Sequence, residues 1–135
     1  MKILCVTYRD WAKNIYIKLE QNKKKNQIFY SHYDKRGLNK KIKSINPDFI
    51  LFYGWSWIIK KIYFSKYNCL MLHPSLLPKF RGGSPIQNQI IRNIKKSAVT
   101  IFKINEVIDG GDILYQSKLS LKGSLDDIFQ RMSEI

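Results

Sequence analysis

The 135-residue chain is 44% hydrophobic and 13% aromatic, which suits a single globular domain, residues 1–135, with a substantial core. No apolar run approaches the roughly 18 residues of a membrane span, and the amino terminus becomes polar too early for a signal peptide, so we expect a cytoplasmic protein without a membrane partner. The net charge of +14 favours anionic partners such as nucleotides or RNA, with a merely solvated basic surface as the alternative. Cys5 and Cys69 lie in apolar runs without neighbouring ligands, so we expect no metal site.

The first half of the chain alternates strand and helix patterns. Strands are predicted at residues 2–7, 28–33, 48–54 and 69–73. The first helix is marked by Trp11, Ile15 and Leu19, which are four apart, with Ala12 and Tyr16 alongside on the same face. The second helix is marked by Leu38, Ile42 and Ile45. A turn into a third, short helix is predicted within WSWIIKKIYF, after the third strand.

The second half begins with a strong helix start at Ser84 and Pro85, because serine accepts from free amides of the first turn and proline tolerates the first helical position. The buried face of that helix is predicted to carry Ile86, Ile90 and Ile94. Two strands, AVTIFKI and DILYQSKL, follow and are expected to pair with each other. Ser124 and Asp127 predict a capping box that opens a last helix, within which the chain ends.

This order of elements predicts an α/β fold, an open and mostly parallel sheet with helices on both faces. Ligands of such sheets gather at the carboxyl ends of the strands, where the loops YGWSW, HPSLLPKFRGG and NEVIDGGD are expected. His73 alone, or Asp109 alone, reads as ordinary structure. Together they predict an imidazole whose tautomer a carboxylate holds, which is the arrangement that general acid-base chemistry needs.

The runs HPSLLPKFRGGSPIQ and VIDGGDIL resemble the catalytic domain of the 10-formyltetrahydrofolate-dependent formyltransferase family, and the resemblance covers nearly the whole chain. That family includes methionyl-tRNA formyltransferases, glycinamide ribonucleotide formyltransferases and sugar-nucleotide N-formyltransferases. The resemblance implies a Rossmann-like catalytic domain, here truncated at the carboxyl terminus. It also implies 10-formyltetrahydrofolate as the co-substrate, no metal, and transfer of a formyl group to a primary amine.

The family's active site consists of an asparagine, a histidine two residues later and a distal aspartate. By motif position His73 and Asp109 take the places of the histidine and the aspartate, whereas the asparagine position falls on Met71. A thioether cannot donate a hydrogen bond to a developing oxyanion. Two interpretations therefore stay open, an enzyme that uses another donor, such as a backbone N–H, or a relative that has lost activity.

The resemblance also implies a folate pocket built from two segments. Its residues are Tyr53, Gly54, Trp55, Ser56, Trp57, Ile58 and Ile59 after the third strand, and Ser75, Leu76, Leu77 and Pro78 after the fourth. Core packing is the alternative for Trp55 and Trp57. Arg81 and Gly82 are candidates for binding an anionic substrate, with a flexible turn as the alternative.

The segment GGSPIQ is similar to the tRNA and sugar branches of the family. Because no additional carboxy-terminal domain follows in this sequence, we expect a nucleotide-linked amino sugar as the acceptor, with methionyl-tRNA as the alternative. Two further hypotheses are an inactive folate-binding relative and a nucleic-acid-binding protein unrelated to folate. The sequence does not indicate an oligomeric state.

Overall fold

A computed structural model describes residues 1–135 of the chain. The elements in chain order are β1 (Lys2–Val6), α1 (Asp10–Gln21), β2 (Ile28–His32), α2 (Leu38–Ile45), β3 (Phe49–Phe52), α3 (Lys61–Lys66), β4 (Asn68–His73), α4 (Pro85–Ile91), β5 (Lys96–Lys103), β6 (Ile113–Ser120) and α5 (Leu125–Glu134). Six strands form one sheet in the order β2-β1-β3-β4-β5-β6. The predicted α/β class with a mostly parallel sheet is confirmed.

The chain divides into two compact units, Met1–Leu70 and Met71–Ile135, and the division falls inside β4. The expectation of one domain over residues 1–135 therefore stays a prediction. Each unit is described by itself below. No helix combines the length and the apolar composition that crossing a bilayer requires.

In the first unit β1 pairs in parallel with β2 on one side and with β3 on the other. The run from Ile3 to Val6 is buried on both faces, as expected for a strand inside a parallel sheet. Burial raises the pKa of the Cys5 thiol to about 12, so this cysteine acts as a small apolar side chain. Strand order reverses at β1, so the loops after β1 and β3 flank the crevice where doubly wound folds place their ligands.

The predicted faces of the first two helices are largely correct. Leu38, Ile42 and Ile45 of α2 are all buried. In α1 the buried positions are Ala12, Ile15 and Tyr16, whereas Leu19 is 39% exposed, so its assignment to the inner face was wrong. Tyr16 lies on the buried face of α1, where its hydroxyl bonds to the backbone of β1 and β3. The third helix begins only at Lys61, after an irregular segment through Lys60.

In the second unit β5 and β6 pair antiparallel, and the capping box at Ser124 and Asp127 is present, so both predictions are confirmed. Helix α4 begins at Pro85 as expected, but Ser84 does not cap it. The backbone of Ser84 is left-handed (φ 51°), and its carbonyl instead accepts a hydrogen bond from the Asn88 side chain.

The predicted buried face of α4 was wrong beyond Ile86. Ile90 is 42% exposed, and Ile94 lies after the helix has ended at Ile91. Gln89 occupies the buried face instead, at 1% exposure, because its amide is fully bonded within the protein. A polar residue in this position gave no hydrophobic signal in the sequence.

Candidate active site

His73 and Asp109 lie together in the second unit. His73 is the last residue of β4, and Asp109 lies in the turn that follows β5. The Nδ1 atom of His73 is 3.7 Å from Oδ2 of Asp109, and the two side chains are only 6% and 9% exposed. The two side chains therefore face each other with little contact with solvent.

The loop of residues 79–83 contacts both members of this pair. The carbonyl oxygen of Phe80 lies 2.7 Å from Nε2 of His73, and the N–H of Gly82 donates to Oδ2 of Asp109 at 2.6 Å. A carbonyl only accepts hydrogen bonds, so Nε2 must carry a hydrogen. In the neutral ring the lone pair is then on Nδ1, which faces Asp109. The loop therefore determines which nitrogen of His73 can take up a proton.

Both contacts depend on unusual backbone conformations. Phe80 and Asp109 have φ angles of 58° and 52°, in the left-handed region that residues other than glycine seldom occupy. Such conformations persist where surrounding structure imposes them, and they cluster at functional sites. For Phe80 the consequence is a carbonyl turned back toward a histidine seven residues earlier.

Gly111 permits a close crossing of two backbone segments beside this site. A Cβ atom at Gly111 would overlap the carbonyl oxygen of Lys103 and lie 2.8 Å from its carbonyl carbon. The N–H of Lys103 donates to the carbonyl of Asp112, so the end of β5 and the turn are tied together at this point. The sequence indicated a turn at IDGGD, but it did not indicate which glycine the packing requires.

Met71 lies two residues before His73 in β4. Side chains two apart on a strand point to the same face, so Met71 shares the face of His73, and it is partly exposed there. Arg81 is exposed, and its guanidinium carbon lies 3.6 Å from where a Cβ at Gly110 would be. A group with five N–H donors thus lies against the turn that carries Asp109.

The segment Ser75 to Pro78 is held by side chains that the sequence analysis did not single out. Buried Thr100 donates to the carbonyl of Ser75 at 2.7 Å, and the Gln116 amide donates to the carbonyl of Leu77 at 3.2 Å. Gln116 also donates to the hydroxyl of Thr100 at 3.0 Å. Within this segment the apolar side chain of Leu76 remains 46% exposed.

Gln89 fixes the preceding residue, since its amide donates to the carbonyl of Pro74 at 2.8 Å while its oxygen accepts from the Ser97 hydroxyl. Thr100 and Gln89 are polar residues among apolar ones in buried elements, at 0% and 1% exposure. Such residues must find internal partners. This is the signal in the sequence that could have identified them.

We expect Thr100→Val to destabilise the chain by about 1 to 3 kcal/mol, because it leaves the buried carbonyl of Ser75 without its donor. Urea unfolding measures the effect. Thr100→Ser is the matched control, since it keeps the hydroxyl and loses only a methyl group. Equal unfolding midpoints for the valine and serine variants would show that the hydrogen bond contributes nothing.

The segment Tyr53 to Ile59 belongs to the first unit and divides into two groups. Tyr53 and Trp55 are buried, at 4% and 9% exposure, so core packing accounts for both. Trp57 and Ile58 are 39% and 89% exposed, and Ser56 is exposed with them. The part of this loop at residues 56–58 is therefore exposed to solvent.

Tyr16, beneath this loop, and Gly54, within it, determine the path of the loop. The hydroxyl of Tyr16 accepts from the N–H of Tyr53 at 2.8 Å and lies 2.8 Å from the carbonyls of Val6 and Leu51, so it fills the space between β1 and β3. Burial raises the pKa of Tyr16 well above its usual value. Gly54 has a φ of 65°, and a Cβ there would lie 3.0 Å from the ring of Trp11. The chain can therefore turn closely over α1 only at a glycine.

No group of three or more histidine, cysteine, aspartate or glutamate side chains lies close enough to hold a metal ion.

Residues 5–134 match the formyl transferase family. The chain therefore belongs to that family.

The chain is also similar to individual members of this family, both curated proteins and solved structures. The methionyl-tRNA formyltransferase of Ehrlichia ruminantium is 39% identical over 99 residues, which are 70% of this chain and 33% of that protein. The structure of methionyl-tRNA formyltransferase from Clostridium thermocellum matches with a TM-score of 0.89 and 39% identity, over 100% of this chain and 60% of that one. A Mycobacterium tuberculosis protein, suggested to be a sugar N-formyltransferase, shares the fold with a TM-score of 0.76 at 21% identity, over 99% and 62% of the two chains. The present chain spans about a third of the length of the curated relatives it matches.

Proposed function

We propose that the chain carries the catalytic site of an N-formyltransferase that moves a formyl group from 10-formyltetrahydrofolate to the amine of methionyl-tRNA. The observation that carries the proposal is the buried pair of His73 and Asp109, 3.7 Å apart, in a chain that belongs to the formyl transferase family. The relatives at 39% identity support methionyl-tRNA as the acceptor.

The amino-sugar acceptor expected from the sequence receives less support. That expectation depended on where the chain ends, and the length of this sequence does not discriminate between acceptors. Its structural support is a likeness at 21% identity, which concerns the fold. Sugar nucleotides therefore enter as the comparison in the experiment below.

Formyl transfer requires three events at the protein. The acceptor nitrogen forms a bond to the formyl carbon, negative charge develops on the formyl oxygen, and the bond from that carbon to N10 of the folate breaks. One proton must travel from the acceptor nitrogen to N10, so no oxidant, reductant or metal enters the balance. We assign the proton relay to Nδ1 of His73, because Nε2 is held by the Phe80 carbonyl.

Asp109 would stabilise the imidazolium that forms when Nδ1 takes up the proton, because its carboxylate faces that atom. The N–H of Gly82 holds the carboxylate in place. Arg81 is the proposed donor to the negative formyl oxygen, in place of the amide that Met71 lacks. Its position against the Asp109 turn supports this assignment.

The residues present suit 10-formyltetrahydrofolate, which supplies the activated formyl group. A pterin needs flat apolar walls and backbone groups for its polar edge. Leu76 and Ile58 each expose an apolar side chain in a loop at the carboxyl end of a strand, which supports the two segments implied by the resemblance. The assignment of Tyr53 to Ile59 concerns the first unit, and that of Ser75 to Pro78 concerns the second unit.

We expect Met71→Asn to keep or raise the rate of formyl transfer, because it restores a side-chain donor on the face of His73. One oxyanion donor is typically worth about 100- to 1000-fold in rate. The measurement is kcat with saturating 10-formyltetrahydrofolate. A large loss of kcat would show that the site is built around the thioether.

The deciding experiment follows the absorbance of released tetrahydrofolate with methionyl-tRNA, and with a panel of 3-amino and 4-amino sugar nucleotides in parallel. Turnover with methionyl-tRNA supports the proposal in full. Turnover only with a sugar nucleotide would retain the reaction and replace the acceptor. Folate binding without transfer to any amine would identify an inactive relative.

A further inference from the structure

The loop after β4, residues 75–80, is held through its carbonyl groups, and we call it the braced loop. Within the loop the N–H of Lys79 donates to the carbonyl of Leu76 at 3.0 Å, and the Ser75 hydroxyl donates to the carbonyl of Lys79 at 2.6 Å. The carbonyl of the last residue of the loop accepts from the ring of His73. The braced loop is therefore one bonded segment that ends at the proposed proton relay.

Two side chains from the neighbouring strands hold the braced loop from outside. Thr100 of β5 and Gln116 of β6 are opposite each other in the antiparallel register, so their side chains lie on the same face of the sheet. The Thr100 hydroxyl donates to the carbonyl of Ser75 at 2.7 Å, and the Gln116 amide donates to the carbonyl of Leu77 at 3.2 Å. These two attachments of the loop therefore come from one cross-strand pair.

Gln116 also controls the bond that Thr100 makes. A hydroxyl carries a single hydrogen. The Gln116 amide donates to the Thr100 oxygen at 3.0 Å, which leaves the hydrogen of that hydroxyl to the carbonyl of Ser75. Removing the Gln116 amide would therefore remove one attachment of the braced loop and release the second from its fixed direction.

The two members of this pair differ in burial. Thr100 is buried at 0% exposure, whereas Gln116 is an exposed residue of β6, the strand at one edge of the sheet. Substitutions at exposed positions usually change the free energy of unfolding by little. Replacing Gln116 should therefore change the position of the braced loop more than it changes the stability of the fold.

We propose that Gln116 is a positioning residue for the folate co-substrate, because it holds the Leu77 end of the braced loop in one position before the folate binds. The inference rests on the proposed function, which assigns residues 75–78 to the folate. Gln116 acts through the loop, where Leu76 exposes its apolar side chain, and not by contact with the folate.

A loop that is held in one position before binding should favour affinity more than chemistry. Ordering a mobile segment on binding opposes association, and a preformed wall avoids that loss. The bond between His73 and Phe80 is separate from the bond at Leu77, and Asp109 faces His73 from outside the braced loop. The loss of Gln116 should therefore raise KM for the folate and leave kcat nearly unchanged.

The test is Gln116→Leu in the full chain, which keeps a side chain of similar size and removes the donor. Binding of tetrahydrofolate, measured by calorimetry, should weaken by roughly 10-fold, because the loop must then be ordered on binding. KM for 10-formyltetrahydrofolate should rise by the same factor, with kcat within about threefold of the parent. Gln130→Leu is the matched control, since it makes the same change at an exposed glutamine of α5, and it should bind like the parent chain.

Gln116→Glu separates the hydrogen bond from packing. The new side chain has nearly the same shape, but an ionised carboxylate only accepts hydrogen bonds, so it faces the Leu77 carbonyl without a donor. Once protonated it donates again, and an ordinary glutamate has a pKa of about 4.3. Relative to the parent at each pH, the folate affinity of this variant should therefore recover in part as the pH falls from about 8 to about 5. Gln116→Leu should stay weaker than the parent by a constant factor.

Three results with the variants would overturn the proposal. One is normal folate binding by Gln116→Leu. Another is a loss of kcat as large as the rise in KM, which would show that the residue acts on the reacting groups. The third is an equal loss of affinity in the leucine and glutamate variants at every pH, which would assign the effect to packing.

Binding of tetrahydrofolate is measured without turnover, so this proposal and the proposed function fail separately. A parent chain that binds tetrahydrofolate but transfers no formyl group would reject the reaction, and weaker binding by Gln116→Leu would still support the role of Gln116. Turnover by the parent with normal binding by Gln116→Leu would retain the reaction and reject that role. A parent chain without affinity for the folate would reject both.

Discussion

Replacing His73 with alanine should lower the rate of formyl transfer by about 10²- to 10⁴-fold, the usual contribution of a positioned acid-base group. The variant removes Nδ1, the atom that faces Asp109, and no other imidazole shares that contact. The assay is release of tetrahydrofolate, with folate affinity measured separately. We expect folate affinity to stay within a few-fold, since the proposed relay acts on the proton and not on the pterin.

Asp109→Asn should cause a loss of similar order for an electrostatic reason. Asparagine keeps an oxygen that can accept the Gly82 N–H, and it tolerates the left-handed φ of 52° at this position. Only the negative charge beside Nδ1 is removed. The fold should therefore survive while the imidazolium loses its counter-ion.

Asp112→Asn is the matched control for this pair of variants. It makes the same change three residues away in the same turn, at an exposed side chain. Its rate should stay within about twofold of the parent, as expected for an exposed site away from the proposed chemistry. Retained turnover in either His73→Ala or Asp109→Asn would remove that residue from the catalytic assignment.

Gly111→Ala should destabilise the chain by about 3 kcal/mol or more, at the upper end for overpacking, because the new Cβ would overlap the backbone of Lys103. A flexible side chain could move away from such a clash. A strand carbonyl cannot do so easily, since the N–H of Lys103 is bonded to Asp112.

The urea midpoint measures this effect, and Gly83→Ala provides the comparison. A Cβ at Gly83 would have no heavy atom within 4 Å, and its φ lies outside the left-handed range. We expect that variant to unfold within about 0.5 kcal/mol of the parent. Equal midpoints for the two alanine variants would show that the turn relaxes without cost.

Elements marked by a regular local pattern could be predicted well. The apolar spacing of α2 and the capping box at Ser124 depend on residues at most four apart, so short stretches of sequence were sufficient. Predictions failed where a distant partner decided the outcome. Gln89 is buried because its amide bonds to Pro74 and its oxygen to Ser97, which lie 15 and 8 residues away in the chain.

In the candidate site, too, the sequence indicated some residues, and the roles of others depended on contacts between distant parts of the chain. The motif HPSLLPKFRGG with DGGD led to His73 and Asp109 and to the family, because the spacing of those residue types is specific. It did not indicate the roles of Phe80, Thr100 or Gln116. Their contacts involve backbone carbonyls, which every residue has, so the sequence does not show which carbonyl a given side chain bonds.

The sequence by itself therefore determined the α/β class, the identity of the family and the pair of titratable groups. Only the tertiary structure decided that Nε2 of His73 bonds to a backbone carbonyl and that the Lys103 backbone packs against Gly111. It also decided that Trp57 is exposed while Trp55 is buried. The physical reason is that residue types at short spacing control local conformation. Hydrogen bonds and excluded volume act between atoms that meet only after the loops have closed.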